Sequence, residues 1–410
     1  MRLLVLSLNT FPYPPNHGAA EGRTFNLLKY LGTHHDVMLV AHKTQNATDD
    51  NIQALKDWVT DIQLFPWPNR ADPQQSGTNK LEQALRFAQF LVTATPPNVS
   101  HRFSPEVYAW VNQYIDDGKC DAVICEHGVN EMYLSPEARQ KVKTVVDIHS
   151  SVYGWVKNHL EADASENALR DRLYLPMLAR YEKRYCRKFT NLIATTPDDR
   201  SQLQALLPDR EITIVPNGVD LQTFQYRSGD PGGQRLIFIG AMDSSHNIDA
   251  ACYFAKAVFP IVQQRYPEAQ LSLVGARPVQ DVKALDALPG VTVTGRVPSI
   301  TDYIHQSTVG VVPLRVGLGI KTKTLESMAS GIPIVASDRG LEGLAVDTPA
   351  VPLRALRANT PDEYVNAISR LFEDPALRQT LSENARAMIE SEYTWEIAGQ
   401  RYECILSSEP

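Results

Sequence analysis

Basic charge, long apolar runs and cysteine are all scarce in this 410-residue sequence, and each shortage disfavours a class of protein. The 40 Lys and Arg residues are outnumbered by 47 Asp and Glu, whereas nucleic-acid-binding proteins usually carry a basic excess. No apolar run approaches the roughly 18 residues that a membrane-spanning helix needs. The first residues, MRLLVLSLNTFPYPP, lack the long apolar core and cleavage site of a signal peptide, so we predict a first strand there.

The five cysteines are an odd number at scattered positions, and none forms a C-x-x-C pair. This pattern disfavours a disulfide scaffold and a zinc site, and it suits a reducing compartment. We therefore predict a cytoplasmic protein.

Several motifs of well-known enzyme classes are missing. The sequence has no G-x-G-x-x-G after its first strand and no G-x-x-x-x-G-K-[ST], which argues against a dehydrogenase and a P-loop enzyme. It also lacks H-E-x-x-H, G-x-S-x-G and D-x-D, the last being the acidic pair with which many metal-dependent transferases hold a nucleotide's cation. We therefore predict no required metal and no resident cofactor.

Short runs rich in Val, Ile and Leu alternate with helical stretches. Strands are predicted at 3–8, 37–41, 122–125, 142–148, 192–194, 212–215, 236–239, 270–274, 291–294, 309–312 and 333–336. Strands that are apolar on both faces, with helices between them, indicate an α/β fold of two Rossmann-like, doubly wound domains facing across a cleft. The Gly- and Pro-rich segment 227–234 is interpreted as a linker between domains at 1–226 and 227–390, followed by an aromatic tail at 391–410.

Two segments of the first predicted domain follow strands and are candidates for ligand binding. Gly18 stands just before a helix, where free N–H groups attract an anion, although a plain strand-to-helix turn is the alternative. His149 follows the strand VVDI, and its ring can donate or accept a proton near neutral pH. A structural role is commoner for a lone histidine. Glu126 and His127 end the neighbouring strand and are weaker candidates for the same region.

The strongest candidate segment, VVPLRVGLGIKTKTLESMASGIPIVAS, lies in the second predicted domain. A loop with Gly317 and Gly319 leads into a helix that carries Lys321, Lys323 and Glu326. Backbone N–H groups and two ammonium groups can bind a diphosphate there, and the carboxylate can accept hydroxyl hydrogen bonds, as from a ribose. A solvated Lys/Glu helix start is the alternative interpretation.

Three other positions are weaker candidates. Gly240 and Gly275 end predicted strands, where a glycine lets the backbone approach a ligand closely. Asn217 lies in PNGVD, a segment that either closes a tight turn or brings backbone near a ligand.

Together these segments resemble the retaining glycosyltransferases of family 4, which have the GT-B fold. TLESMASGIPIVAS resembles the family's E-A-M-A-x-G-x-P-V-V-A signature, and Gly18 with Arg23 match its G-x-x-x-x-R stretch. His149 matches the family's histidine after a first-domain strand, and PNGVD matches its N-G-V-D. IGAMDSSHNIDAACYF resembles the opening of its nucleotide domain, and YTWEIAGQRY its closing helix. The resemblance implies that the tail 391–410 crosses back to the first domain.

The resemblance implies metal-independent transfer of a hexosyl group, with retained anomeric configuration, from a nucleotide diphosphate sugar to an acceptor hydroxyl. UDP- and GDP-sugars are the expected donors, and the acceptor is a glycan, a lipid-linked or a small molecule of polysaccharide or glycoconjugate synthesis. Glu326 is expected to bind the ribose, Gly18 the diphosphate and His149 the transferred sugar. The expected catalytic residues are His149, Lys321 and Lys323, and the expected substrate-binding residues are Gly18, Arg23, Asn217, Gly240, Gly275, Gly319 and Glu326.

The sequence departs from the family pattern at two places. Many members have two glutamates with seven residues between them; the second is Glu326 here, and the first position is Leu318. Many also carry Arg and Lys in the loop that here reads GAMDSSHN, so we expect Lys321 and Lys323 to supply that charge. These differences keep two alternatives open, a GT-B-fold nucleotide-sugar epimerase and a catalytically inactive nucleotide-sugar-binding protein.

A basic stripe occurs in the segment RYEKRYCRK, residues 180–188. Helical spacing places five cations on roughly one face, namely Arg180, Lys183, Arg184, Arg187 and Lys188. The stripe is either a solvated helix face or a peripheral contact with anionic lipid at the inner face of the membrane.

Overall fold

The structure is a computed structural model that describes residues 1–15, 18–68, 90–161, 165, 167–317 and 319–408. The chain divides into two compact units, one formed by residues 1–216 with 398–410 and the other by residues 217–397. Each unit has a hydrophobic core around its own parallel sheet. The predicted fold class, α/β with two Rossmann-like domains, is confirmed.

In the described part of the first unit, seven parallel strands form one sheet in the order β3-β2-β1-β4-β5-β6-β7. They are β1 (Arg2–Ser7), β2 (Asp36–Lys43), β3 (Asp61–Pro66), β4 (Ala122–Glu126), β5 (Lys143–Ile148), β6 (Asn191–Ala194) and β7 (Ile212–Ile214). The central strands β1, β4 and β5 are almost entirely buried, as expected for parallel strands covered by helices on both faces.

Helices connect these strands. They are α1 (Ala19–His34), α2 (Asp49–Lys56), α3 (Pro97–Ser100), α4 (Pro105–Asp116), a 3₁₀ helix (Gly128–Tyr133), α5 (Ala138–Lys141), α6 (Val152–Glu161), α7 (Ala168–Cys186) and α8 (Pro197–Leu206). Many start at a side-chain cap, such as Ser104 before α4 and Thr196 before α8, each of which accepts a hydrogen bond from a first-turn N–H.

In the described part of the second unit, six parallel strands form a sheet in the order β10-β9-β8-β11-β12-β13. They are β8 (Arg235–Ile239), β9 (Gln270–Val274), β10 (Val291–Gly295), β11 (Val309–Val312), β12 (Ile334–Ala336) and β13 (Leu356–Arg357). The helices are α9 (Ser245–Tyr253), a π-helical turn (Phe254–Val258), α10 (Phe259–Arg265), α11 (Gln280–Lys283), a 3₁₀ helix (Ala284–Ala287), α12 (Ile300–Gln306), α13 (Thr322–Ala329), α14 (Pro361–Glu373) and α15 (Pro375–Glu392). The last helix, α16 (Trp395–Ser407), begins in this unit and ends in the first.

Each sheet has a switch point where the chain order of neighbouring strands reverses. In the first unit β1 lies between β2 and β4, and in the second β8 lies between β9 and β11. Ligands of doubly wound folds bind beyond the carboxyl ends of the strands at such a point. Gly18 follows β1 and Glu126 ends β4, while Gly240 follows β8 and the loop before Lys321 follows β11.

The observed division between the units falls after Pro216, whereas the sequence analysis placed it after residue 226. Residues 217–234 belong to the second unit because they are tied into it. Phe224 packs against its core, and the buried Arg227 donates to the Ser307 carbonyl at 3.1 Å. The segment 227–234 is thus part of the second unit rather than a linker between units. Of the predicted tail, residues 398–410 group with the first unit.

Among the helices that the structure describes, none is both long enough and apolar enough to cross a membrane.

Candidate active site

The first unit brings three ionisable side chains together at the carboxyl ends of β4 and β5. Glu126 is the last residue of β4, and it pairs in register with Asp147 of β5. His149 follows β5 directly. The parallel pairing of the two strands therefore builds this group, which we name the histidine cluster (Glu126, Asp147 and His149).

His149 is held by carboxylates within the histidine cluster. Its Nε2 lies 3.0 Å from Glu126 Oε2 and 3.8 Å from Asp147 Oδ2, and its side chain is 10% exposed. The Thr24 hydroxyl donates to the same Glu126 oxygen at 2.8 Å, and the Thr195 hydroxyl donates to the His149 carbonyl at 3.0 Å. With Nε2–H donated to Glu126, the neutral ring keeps Nδ1 as an acceptor, and protonation would make both nitrogens donors.

His127 contributes a second imidazole beside the histidine cluster. The ring centroids of His127 and His149 are 3.8 Å apart, and His127 has a φ of 69°, which is uncommon for a residue other than glycine. Burial, together with the charge of His149, lowers the pKa of His127 well below its usual range. His127 is therefore a neutral ring that packs against His149.

Arg23 is buried and paired with Asp147. Its Nε and one terminal nitrogen donate to the two Asp147 oxygens at 2.8 and 3.0 Å, and its side chain is 1% exposed. The Tyr402 hydroxyl also hydrogen-bonds Asp147. Burial alone would raise the pKa of Asp147, but the charges of Arg23 and His149 and the two hydrogen-bonding partners lower it. The guanidinium of Arg23 thus favours the ionised form of Asp147, and substrate binding by Arg23 stays a prediction.

The ligand atoms of the histidine cluster lie within 4.8 Å of one another, a spacing that a divalent metal could use. The donor chemistry fits a metal poorly, however, because both Asp147 oxygens already accept from the Arg23 guanidinium. A guanidinium in this position supplies the positive charge that a metal would otherwise bring. The arrangement therefore suits a positioned histidine better than a metal centre.

Gly18 is exposed at the start of α1, and it is the N-cap residue of that helix. Its φ of −168° is ordinary extended backbone, and no side chain caps the helix. A Cβ at this position would lie 2.5 Å from Glu21 Oε2, so the glycine keeps the helix start uncrowded. The anion-binding role expected for Gly18 stays a prediction.

The second unit places the predicted lysines and glutamate at the start of α13. Lys323 is buried, its ammonium hydrogen-bonds the Asn247 side chain, and its Nζ lies 4.8 Å from the centroid of the Phe238 ring. Glu326, one turn further along, forms no side-chain hydrogen bond with any residue that the structure describes. We name Asn247, Lys323 and Glu326 the lysine cluster.

Burial disfavours the charged forms of both ionisable groups in the lysine cluster. Burial lowers the pKa of Lys323 to about 7; the negative charge of Glu326 opposes this shift and Lys321 adds to it. Burial raises the pKa of Glu326 to about 7, opposed by Lys323. A bound anion would favour the charged ammonium, and hydroxyl donors would favour the charged carboxylate.

Glycines bring backbone close to the Lys323 ammonium. A Cβ on Gly240 would lie 2.9 Å from Lys323 Nζ and 2.8 Å from Asn247 Nδ2. A Cβ on Gly275 would lie 1.8 Å from the Gly240 carbonyl oxygen, and its φ is +158°. A side chain is therefore excluded at Gly275 by backbone, and at Gly240 it would crowd Lys323 and Asn247; close approach to a ligand at these glycines stays a prediction.

Lys321 has partners of its own. Its ammonium hydrogen-bonds the Gly319 carbonyl and lies 3.1 Å from Glu342, which also pairs with Arg339 at 2.8 Å. Gly319 has a φ of +76°, a conformation that favours glycine. Leu318, the position at which the family has its first glutamate, lies outside the described residues.

Asn217 begins the second unit and is half-buried. The residue after it, Gly218, packs on the start of α16, where a Cβ would lie 2.4 Å from the Trp395 nitrogen. The Val219 N–H donates to the Tyr393 carbonyl at 2.8 Å. The structure thus gives the turn a packing role, and ligand binding by Asn217 stays a prediction.

Sequence reasoning missed several partners of these clusters. Thr24 and Tyr402 act through pairings across more than a hundred residues, which no local pattern reveals. Asn247 lies in the first turn of α9, whose N-cap is Ser244, and its side chain contacts Lys323. His246 was not singled out, although burial and the two nearby lysine charges lower its pKa.

Two family models match the chain, one in each half. The model described as Glycosyltransferase Family 4 matches residues 20–223, and the model described as Glycosyl transferases group 1 matches residues 233–374. The matches cover the histidine cluster and the lysine cluster. The chain belongs to the group 1, family 4 glycosyltransferases.

Curated relatives match over part of their length. The chain is 28% identical over 220 residues to the GDP-mannose-dependent monoacylated alpha-(1-6)-phosphatidylinositol monomannoside mannosyltransferase of Corynebacterium glutamicum, covering 48% of this chain and 56% of that protein. It is also 28% identical over 254 residues to the D-inositol 3-phosphate glycosyltransferase of Nocardiopsis dassonvillei, covering 55% and 56%. The chain thus spans about half the length of the curated relatives it matches.

Solved structures match over the whole chain. The sucrose-phosphate synthase of Thermosynechococcus elongatus has a TM-score of 0.67 at 18% identity, with full coverage of both chains. Anabaena HepE in complex with UDP has a TM-score of 0.67 at 15% identity, also with full coverage. At these identities the similarity establishes a shared fold.

Proposed function

We propose that the protein is a retaining, metal-independent glycosyltransferase that moves a hexosyl group from a nucleotide diphosphate sugar to an acceptor hydroxyl in polysaccharide or glycoconjugate synthesis. One observation carries the proposal. A buried lysine and a half-buried glutamate, which makes no side-chain hydrogen bond within the described residues, lie one turn apart in α13, next to the carboxyl end of β8 and within the segment matched by the group 1 model. Removing such charged groups from water is unfavourable unless a ligand satisfies their charges.

The proposal assigns the donor to the second unit. Lys323, with Lys321 and the backbone beside Gly240, Gly275 and Gly319, binds the diphosphate. Glu326 accepts the ribose hydroxyls. Positive charge at the diphosphate stabilises it as a leaving group, and this stabilisation grows as negative charge develops in the transition state.

The proposal assigns the acceptor to the first unit. Of the residues in this unit, Gly18 at the start of α1 meets the donor's diphosphate, and His149 contacts the transferred sugar. The Glu126 and Asp147 carboxylates near His149 stabilise nearby positive charge, which suits an oxocarbenium-like sugar. Arg23 serves by keeping Asp147 ionised, and Asn217 completes the proposed binding residues in the second unit.

UDP- and GDP-sugars are the proposed donors, because one relative is named as GDP-mannose-dependent and one structural neighbour is in complex with UDP. The acceptor class proposed is a glycan or glycolipid, since a relative is named for transfer to a phosphatidylinositol mannoside. Such an acceptor sits in a membrane, so we also propose a cytoplasmic protein in peripheral contact with lipid. The relatives named above are transferases, and they do not favour an epimerase.

A thermal-shift titration with UDP, GDP and ADP tests the donor site. A ligand that binds only the folded state stabilises it by about 2.7 kcal/mol at a hundred times its Kd, so the correct nucleotide should raise Tm. Lys323→Ala should abolish that rise, whereas Lys256→Ala, which removes an exposed lysine of the same unit, should preserve it.

Product analysis tests the reaction itself. With the stabilising nucleotide's sugars and a panel of glycolipid acceptors, we expect a product of retained anomeric configuration that forms equally well in the presence of a metal chelator. An inverted product, or loss of activity on chelation, would contradict the proposed mechanism. A changed sugar formed from the donor alone would instead identify an epimerase.

A further inference from the structure

One face of helix α7 (Ala168–Cys186) is exposed along its whole length. Leu169 and Leu173 are 71% and 56% exposed, although large apolar side chains are usually buried. Residues three and four apart in a helix share a face, and the exposed residues follow that spacing into the residue after the helix. We name this set the basic–apolar face: Leu169, Arg172, Leu173, Pro176, Arg180, Lys183 and Arg187.

The basic–apolar face carries four cations and no acidic residue. The acidic residues of α7 are buried instead. Asp171 binds Arg170 and the Ser165 hydroxyl, and Glu182 accepts from the Ser151 hydroxyl and the Val152 N–H at the start of α6. A chain with a formal net charge of −7 thus presents a locally cationic surface here.

The cations of this face are available to an outside partner. Arg172, Arg180 and Lys183 make no ion pair with any residue of the described ranges. Arg187 forms a long ion pair, at 3.5 Å, with the exposed Asp209. Because solvent-exposed pairs at such distances contribute little, none of the four charges is neutralised by a strong partner within the described structure.

The stripe predicted at 180–188 divides into two in the structure. Arg184 hydrogen-bonds the Thr95 hydroxyl at 2.8 Å, and Lys188 ion-pairs with the buried Glu131. These two cations are therefore bound within the first unit. The exposed cations extend toward the start of α7, where exposed leucines lie beside them. The sequence analysis did not predict these leucines as part of the same face.

The neighbouring helix α6 adds apolar surface. Its inner residue Val156 packs with Met177 and Leu178 of α7 in a small buried cluster. Val152 and Trp155 of α6 remain 45% and 49% exposed. Tryptophan is enriched where a protein meets the boundary between lipid headgroups and acyl chains.

We propose that the basic–apolar face binds the surface of a bilayer that contains anionic phospholipids. Exposed leucines can enter the headgroup boundary while arginine and lysine beside them contact lipid phosphates, which is the pattern of helices that lie in a membrane interface. Because none of the four cations has a strong partner within the described structure, the face favours an anionic lipid surface over a neutral protein surface. The proposal names the surface behind the peripheral lipid contact proposed above, and it is independent of the sugar-transfer chemistry.

Flotation of the full chain with vesicles tests the proposal. Binding is expected to vesicles of phosphatidylcholine mixed with phosphatidylglycerol, and not to phosphatidylcholine alone. The triple variant Arg172→Gln/Arg180→Gln/Lys183→Gln should bind the mixed vesicles about a hundredfold more weakly, since each basic residue near such a surface contributes about fivefold. The control variant Lys56→Gln/Lys119→Gln/Lys141→Gln removes three exposed lysines of the same unit and should bind like the wild type.

Two further readouts locate the contact. Leu169→Gln/Leu173→Gln should weaken binding to the mixed vesicles without lowering Tm, because both side chains are exposed. Mixed vesicles should shift tryptophan fluorescence to the blue, and Trp155→Phe should reduce that shift. Equal binding by the two triple variants, or no binding by the wild type, would overturn the proposal, and so would self-association through this face in place of vesicle binding.

The proposed reaction is assayed separately with a soluble acceptor and no vesicles. Absence of transfer by a wild type that still binds vesicles would count against the sugar-transfer proposal alone. Normal transfer by a wild type that ignores vesicles would count against the lipid surface alone.

Discussion

At the scale of single residues, the orientation of the His149 ring is set by its contact with Glu126. Its Nε2 lies 3.0 Å from Glu126 Oε2, which also accepts from the Thr24 hydroxyl. A hydrogen bond to a charged partner both orients an imidazole and stabilises positive charge on it. Under the proposed function, in which His149 contacts the sugar, Glu126 is a positioning residue because it acts through His149.

Glu126→Gln should lower kcat while leaving nucleotide affinity unchanged. The amide can keep a hydrogen bond to His149 but removes the charge, and a hydrogen bond to a charged group contributes about 1.5–3 kcal/mol, or about ten- to a hundredfold in rate. Steady-state kinetics with a nucleotide titration check this split. Thr24→Val, which removes only a donor to Glu126, should reduce kcat less. Equal kcat for Glu126→Gln and the wild type would show that the carboxylate does not position the ring.

Nucleotide binding should be accompanied by protonation of Lys323 near neutral pH. Burial lowers the pKa of Lys323 to about 7, so its amine is partly neutral there, and a bound diphosphate favours the charged form. Below pH 7 the group is already protonated and uptake fades, whereas above pH 7 uptake rises and affinity falls.

Calorimetric titration of UDP or GDP in buffers of different ionisation enthalpy counts these protons. Ribose binding to Glu326 would release protons and partly mask the effect, so the count is made in a Glu326→Gln background. Adding Lys323→Met to that background should remove the uptake. Unchanged uptake in the double variant would assign the proton to another group, such as His246.

Some of the site residues predicted from the sequence are directly positioned by a strand. His149, Gly240 and Gly275 follow strands β5, β8 and β9, and local pattern is enough to locate strand ends. Tyr402 was missed because its role depends on a hydrogen bond to Asp147, 255 positions away in the chain. Such a pairing is a property of the folded chain, and a single sequence does not display it.

At the scale of elements, the eleven predicted strands are all present, and two were missed. The missed strands, β3 (Asp61–Pro66) and β13 (Leu356–Arg357), are edge strands of their sheets. β3 has one fully buried residue, and β13 is two residues long. Strand prediction from continuous apolar runs works for buried central strands and fails at edges, where one side of the strand meets solvent.

The packing of helix α16 against α1 depends on a glycine. A Cβ on Gly399 would lie 2.2 Å from the Tyr30 ring of α1, within the first unit. Gly399→Ala should therefore lower the free energy of unfolding of that unit by about 1–3 kcal/mol, the usual cost of overpacking. Gly229→Ala is the matched control, because nothing lies within 4 Å of its Cβ position. Denaturant unfolding compares the two, and equal stability would show that Tyr30 moves aside freely.

At the scale of the whole molecule, the chain leaves the first unit and later returns to it. Residues 398–410 group with residues 1–216, although they follow the entire second unit. The composition of 227–234 suggested a linker, yet buried Arg227 and the pair of Asp230 with Arg378 tie this segment to the second unit. Gly and Pro content shows where a chain turns, but it does not show which unit buries the turn.

The returning segment should stabilise the first unit alone. Tyr402 hydrogen-bonds Asp147, Glu403 lies 2.7 Å from His35, and the Leu406 carbonyl accepts from Lys143 at 3.2 Å, all within that unit. Deleting residues 398–410 should therefore leave the buried pair of Arg23 and Asp147 without one of its hydrogen bonds and expose the core beside it.

Hydrogen exchange read by mass spectrometry separates the two units in this deletion. We expect faster exchange in α1 and β5, whose side chains contact the missing segment, and unchanged exchange in β8 and α13. Added nucleotide should still slow exchange around Gly240 and Lys323 in the deleted chain, because the lysine cluster lies in the second unit. Loss of that protection would mean that the first unit contributes to nucleotide binding, and equal exchange in α1 and β5 would mean that the segment does not stabilise it.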